Sequence, residues 1–269
     1  MEIEGYSLKS FYFKNNYRFD WVIMSVEEKD KEIERQSLKD LKIIVAKSKE
    51  WSIDLVVIGG YAVRAFTNAY RHTKDIDMAI GKGEKGNFIA LLKDEGYQTG
   101  DTEFGLGAKK EFDSDFIAVH ISVGKIYDKS SGLSYPITKE LFEESKIRQV
   151  GSRYDVNKQY ETDAPIVDLN TLVILKTMPK GRPEKDAADI MSLIIDRSKA
   201  ITISSIVKKC KETDLTDHIL SQIQDFEKKL NNGNMSKIWS SVTGTKMTGS
   251  QIMSVQRFLR DLDKGLRGR

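Results

Sequence analysis

The chain switches between two kinds of apolar spacing, and the switches outline its elements. From about Val26 to Trp51, Ile33, Leu38, Leu41, Ile44 and Val45 recur at helical intervals among dense Lys and Glu, which predicts an amphipathic helix. Ile53 to Ile58 is short, β-branched and stopped by Gly59-Gly60, so it predicts a buried strand followed by a helix carrying Ala62, Val63, Ala65 and Phe66. Asp75-Ile76-Asp77-Met78-Ala79-Ile80 has period two, with Ile76, Met78 and Ile80 on one face and both aspartates on the other. A helix is expected at 87–94. Phe116 to Val123 has period two again, turning Ile117, Val119, Ile121 and Val123 to a core.

Residues 124–165 predict a polar loop, a short helix near 138–146 and strands near Ile147–Val150 and Arg153–Val156. Asp168 is placed to cap a helix with the stripe Leu169, Leu172 and Val173. A further helix has Pro183 in its first turn and Ala187, Ile190, Met191 and Ile194 on its core face. The stretches 202–211, 215–230 and 250–265 are helical in pattern. The expected class is therefore α/β (α+β): a mixed sheet flanked by helices over 26–196 and a helical C-terminal domain over 197–269. Residues 1–25, rich in aromatics without a period, are expected to be an N-terminal extension packed on that body.

Composition narrows the possible classes. Hydrophobic residues make up 39% and charged residues 31%, and 43 Lys+Arg against 40 Asp+Glu give a charge of +3, which excludes disordered and collagen-like chains. No apolar run approaches the ~20 residues that span a bilayer, and Met1-Glu2-Ile3-Glu4 lacks the basic and apolar parts of a signal peptide. A cytoplasmic protein without a membrane partner is expected. Cys210 stands alone, and His72, His120 and His218 are scattered, which excludes a Cys/His zinc cluster of familiar spacing.

Three features point to chemistry. Gly59-Gly60 lies between strand and helix, where missing Cβ atoms let backbone N–H groups approach a phosphate. Asp75 and Asp77 project from one strand face about 7 Å apart at ~3.4 Å per residue. Such a pair repels unless a cation lies between, and two divalent ions can share these carboxylates while gripping a triphosphate. Lys176 continues the Leu169, Leu172, Val173 stripe, so an ammonium falls where the helix otherwise points apolar groups, which argues for an anionic partner. On that reading, Lys176→Met should weaken NTP binding while stability holds or rises.

The order Gly59-Gly60-Tyr61-Ala62-Val63-Arg64, Arg71-x-Thr73-x-Asp75-Ile76-Asp77, then Lys176, Arg182, Lys185-Asp186 and Asp189 resembles the polymerase-β-type nucleotidyltransferase superfamily. It is most similar to the abortive-infection branch, the AbiEii-like type IV toxin–antitoxin nucleotidyltransferases. The resemblance covers about 53–196. It implies a nucleotidyltransferase-type sheet, with Gly59, Gly60, Arg71, Thr73, Lys176 and Asp186 at the nucleotide and Asp75 and Asp77 on Mg²⁺ or Mn²⁺. It also implies an NTP substrate, an RNA, tRNA or protein acceptor, and a possible antitoxin partner. Where the family often has Gly-Ser, this chain has Gly60, which leaves only backbone donors at that position.

A third carboxylate usual in polymerase-like transferases is missing from the candidate strand. The face matching Asp75 and Asp77 carries Ala118, His120 and Ser122, so His120 stands in the third place as ligand or base. Asp113 and Asp115 have the parity of the core and would need a bulge to turn in. The alternative that His120 raises is a catalytically weakened nucleotide-binding or partner-binding protein with the same fold.

Overall fold

The computed structural model describes residues 16–68, 71–103, 105–113, 115–152, 160–181 and 183–268, and for 16–27 the backbone alone. Residues 1–15, the strand expected at Arg153–Val156 and Arg182 lie outside the described residues.

A seven-stranded mixed sheet organises the first two thirds of the chain. Its centre is built from β1 (Leu55–Val57), β2 (Ile76–Ile80) and β5 (Asp115–Val123). β3 (Gln98–Thr102) and β4 (Gly105–Phe112) extend one side, and β8 (Lys146–Val150) and β9 (Thr162–Ile166) the other, in the order β3-β4-β5-β2-β1-β9-β8. β2 is parallel to β5 and antiparallel to β1. Ile76, Met78, Ile80, Ile117 and Val119 are completely buried. At about 1.5–3 kcal/mol for each fully buried side chain of this size, the pairing of β2 with β5 is the rigid part of the sheet. The opposite face of that pair carries Asp77 and His120.

Helices cover the sheet. α1 (Asn16–Glu50) begins ten residues before the expected start near Val26, so its backbone runs through part of the aromatic-rich segment. It packs on β9, β5 and α3 (Lys85–Asp94). α2 (Gly59–Arg64) is short and ends in a turn that buries Phe66. α4 (Lys139–Glu143) follows a hairpin of β6 (Lys125–Asp128) and β7 (Leu133–Pro136), where a loop was expected.

α5 (Leu169–Thr177) is capped as expected by Asp168, whose carboxylate accepts from the N–H of Asn170 at 2.9 Å. α6 (Glu184–Arg197) starts directly after Pro183. α7 (Ile203–Glu212), α8 (Thr216–Asn231), α9 (Asn234–Thr243) and α10 (Gly249–Leu266) complete the C-terminal part. α5 packs on α6, α7 and α8, and α6 on α9 and α10, so these two helices join sheet and bundle in one continuous apolar core.

One buried ion pair ties α1 to the segment that leads into β2. Arg64 pairs with Glu34 and also donates to the carbonyls of Arg71 at 2.8 Å and Gly151 at 3.2 Å. Both side chains are almost fully buried, so removing one charge leaves the other uncompensated. Glu34→Ala is expected to cost about 3–5 kcal/mol by urea denaturation; a loss near zero would show that the pair does not anchor α1.

Candidate active site

The turn from β1 into α2 is shaped by three side chains, Asp77, Thr73 and Arg71, packed against its two glycines. The N–H of Ile58 donates to the carbonyl of Asp77 at 2.9 Å, which draws the end of β1 onto β2. Gly59 then takes φ +66°, and a Cβ there would lie 2.6 Å from the Cβ of Asp77. A Cβ on Gly60 would lie 2.5 Å from Oγ1 of Thr73 and 3.2 Å from Nη2 of Arg71. Both glycines are required sterically. The sequence leaves only backbone donors at this corner, but the fold adds a hydroxyl: Thr73 fills the volume that a serine at position 60 would need.

Register places His120 beside Asp77. The two residues pair across β2 and β5, the imidazole is exposed on the site face as strand parity predicts, and Nδ1 lies 3.2 Å from Oδ1 of Asp77. With Nδ1 protonated, this hydrogen bond to the carboxylate raises the His120 pKa above its ordinary 6.5, outweighing the opposing effect of burial. Asp75 lies one residue ahead of β2 rather than within it, and its charge reaches His120. Asp113 sits in the β4–β5 turn with φ +50°, and Asp115 accepts from Lys74 Nζ at 3.0 Å and from the N–H of Phe116 at 2.8 Å. Neither turns in to act as a third acid.

Among the described residues, no group of three His, Cys, Asp or Glu is arranged to hold a metal ion. Mg²⁺ is commonly held by one or two carboxylates, with substrate phosphates and water completing its octahedron. Asp77 lines the cleft and suits that partial role, whereas Asp75 is not among the residues that line it.

Asp77 and His120 open onto a cleft of about 640 Å³, within the range of small-molecule sites. Lys176 and Asp186 line it from the helical side, and Tyr127 and Lys129 from the β6–β7 hairpin. The hairpin residues escape sequence reading because their strands are only four residues long, too short to show a period. The usable signal is the turn Asp128-Lys129-Ser130-Ser131-Gly132: Asp128 accepts from the N–H of Ser131 at 2.7 Å, and Ser130 Oγ accepts from the N–H of Lys180 at 2.7 Å. The second bond ties the hairpin to the segment after α5.

Arg71 and Lys176 converge on Asp189, and Lys176 also reaches Asp186. Arg71 donates from Nε and Nη2 to Asp189 Oδ1 and Oδ2, both at 2.7 Å. Lys176 Nζ reaches Asp186 Oδ1 at 2.7 Å and Asp189 Oδ2 at 2.9 Å. The network holds two cations and two anions, so Lys176 is neutralised within the protein and not a bare ammonium on an apolar stripe. Burial alone would lower the Lys176 pKa, but Asp189 and Asp186 outweigh it and hold the pKa above the ordinary lysine range. Burial would likewise raise that of Asp189, but Lys176 and Arg71 hold it below the usual carboxylate range. Asp189 is the most deeply placed member, with its side chain 3% exposed against 20% for Asp186.

No protein-family model and no curated protein sequence matches the chain. Among solved structures, it is similar to the lincosamide antibiotic adenylyltransferase LnuA bound to lincomycin, at 18% identity and a TM-score of 0.40 over 61% of this chain and 97% of that one. It is also similar to ANT(2")-Ia in complex with adenylyl-2"-tobramycin, at 14% identity and a TM-score of 0.38 over 59% of this chain and 87% of that one. A solution structure of the antibiotic-resistance factor ANT(2'')-Ia matches at 11% identity and a TM-score of 0.32 over 87% and 96%. Likenesses this slight carry no argument about activity.

The ion pairs reverse the stability expected for Lys176→Met. Removing the ammonium leaves two carboxylates facing one guanidinium, so the variant is expected to lose about 3–5 kcal/mol near neutral pH. The Asp189 contribution is complete above its unfolded pKa of about 3.9 and is lost as pH falls below it. The Lys176 contribution is complete below about 10.4 and is lost as pH rises through its raised folded value. Urea midpoints of wild type and variant measured between these limits check this; equal midpoints would contradict it.

Proposed function

We propose that the chain is a nucleotidyltransferase that moves a nucleoside monophosphate from an NTP to an acceptor hydroxyl on RNA, tRNA or protein. The observation that carries this reading is Asp77 seated directly on the backbone of Gly59, with His120 at 3.2 Å, at the wall of the cleft. A glycine corner, a strand carboxylate and a paired imidazole at one site suit a triphosphate and an attacking hydroxyl.

Gly59 lines the cleft and would offer its backbone N–H to the triphosphate, with Gly60 and Thr73 packed directly behind it. Lys176 serves the same charge by exchanging Asp186, its more exposed partner, for a phosphate oxygen, while Asp189 keeps its hold. Asp75 and Asp77 would hold Mg²⁺ or Mn²⁺, which when bound screens the triphosphate and acidifies the acceptor hydroxyl. In the transfer, the acceptor oxygen forms a bond to the α-phosphorus, the bond from that phosphorus to the α–β bridging oxygen breaks, and pyrophosphate leaves. His120 takes the acceptor proton on Nε2, since Nδ1 is engaged with Asp77. A toxin-like role with an antitoxin partner belongs to the same proposal and is supported only by the order of the motifs.

A second reading, nucleotide binding without transfer, is favoured by the two-carboxylate donor set and by cations already neutralised. Label transfer from α-labelled NTP separates the two. Asp75→Asn and Asp77→Asn are expected to reduce transfer to background, and His120→Ala to lower it by about 10²–10⁴-fold. Transfer by the wild type should rise with pH through a His120 pKa above 6.5, because the neutral ring is the base. Full transfer in Asp77→Asn would overturn the assignment, and NTP binding with no transfer in wild type would establish the second reading.

A further inference from the structure

Four successive backbone carbonyls between α2 and β2 end on side chains. The carbonyl of Arg71 accepts from Arg64 Nη2 at 2.8 Å, that of His72 from Arg71 Nη1 at 3.0 Å, that of Thr73 from the Tyr61 hydroxyl at 3.2 Å and that of Lys74 from Ser37 Oγ at 2.6 Å. The segment belongs to no helix or strand, so these four bonds stand where a ladder would otherwise satisfy and fix the backbone. Ser37, on α1, and Tyr61, on α2, are completely buried, where a hydroxyl is costly unless it is paired. The two are also close enough to act on each other. Ser37 is the middle one of three buried polar residues at intervals of three on α1: Glu34 pairs with Arg64, and Asp40 accepts from the Tyr97 hydroxyl at 2.6 Å. β2 is held by its own pairing from Ile76 onward, so any shift of the segment falls on Thr73, which packs on Gly60, and on Asp75.

We propose that Ser37 and Tyr61 are positioning residues of the nucleotide site: by holding the carbonyls of Lys74 and Thr73 they set where Thr73 stands against Gly60 and where Asp75 enters β2. The inference rests on the nucleotide-binding part of the reading above and adds to it two residues that do not line the cleft. The charge of Asp75 reaches both Tyr61 and His120, so the trace that Tyr61 holds is also felt at the site face. The side chain of Lys74 is held independently by Asp115 at 3.0 Å. Removing the two hydroxyls therefore loosens the backbone between Arg71 and Asp75 while its flanks stay anchored.

Ser37→Ala and Tyr61→Phe, made singly and together in the full chain, test this against Tyr97→Phe. That control also strips a hydroxyl from a buried tyrosine bonded to α1, but its partner is the Asp40 carboxylate and not the segment. In the ligand-free double variant, hydrogen exchange of the segment from Arg71 to Asp77 is expected to quicken about tenfold, and the dissociation constant for ATP with Mn²⁺ to rise about tenfold. The control should lose urea stability and keep both values. If the double variant does not fold, the single variants carry the same comparison with smaller changes in the same direction. The inference is overturned if the variants exchange and bind as wild type does, or if exchange quickens while ATP affinity holds, which would leave the bonds purely structural. It is also overturned if Tyr97→Phe weakens ATP binding as much at an equal loss of urea midpoint. Failure of the parent reading looks different: wild type that binds ATP but transfers no label overturns transfer and leaves the positioning intact, and wild type that binds no ATP overturns both.

Discussion

The buried carboxylate of Asp189 is the constraint on which the rest of the site depends. It is nearly inaccessible, so its charge persists only because Arg71 and Lys176 both bond to it. Those three residues come from the segment before β2, from α5 and from α6. Satisfying one carboxylate therefore fixes the helical wall of the cleft against the strand that bears Asp77. The Arg71 backbone is held in turn by Arg64, which Glu34 fixes from α1. Two buried ion pairs thus hold Arg71, one through its guanidinium and one through its carbonyl.

Packing at the glycine corner is decided by volume. Thr73 presses on Gly60, and Asp77 presses on Gly59, at distances no Cβ would tolerate, with Arg71 in tight contact beside Thr73. The strand carboxylate is therefore held against the backbone and not left to find its own rotamers. The less buried Asp186 is the natural point of release. On the proposed function, charge would pass from it to an incoming phosphate without exposing Asp189.

Much of the fold was legible because strands with a clear period, such as Ile76–Ile80 and Asp115–Val123, announce both their existence and their faces. The side of β5 on which His120 projects followed from parity alone. What escaped was set by partners distant in sequence. β9 contains Pro165, which reads as a strand breaker, and its pairing with β1 is confined to Val57 and Ile166, so little ladder is lost. β3 is polar and exposed and has no stripe to read. α9 buries only Met235, Trp239 and Thr243, a thin seam between flanking turns. For Lys176, position on an apolar stripe showed that a counter-charge was needed, and Asp186 and Asp189, three apart on one side of a helix, were legible as groups that could supply it, which they do. The hydroxyl of Thr73 at Gly60 could not be seen without knowing how the chain folds back between them.

The central claim is that a nucleoside triphosphate occupies the corner made by Gly59, Gly60 and Asp77. Hydrogen–deuterium exchange of the full chain with and without a non-hydrolysable ATP analogue and Mn²⁺ addresses it most directly. The account predicts slowed exchange at the Gly59–Arg64 amides and in the segment from Arg71 to Asp77, with α8 and α10 unchanged. Protection confined to the C-terminal helices, or none at Gly59 and Gly60 under saturating analogue, would contradict it.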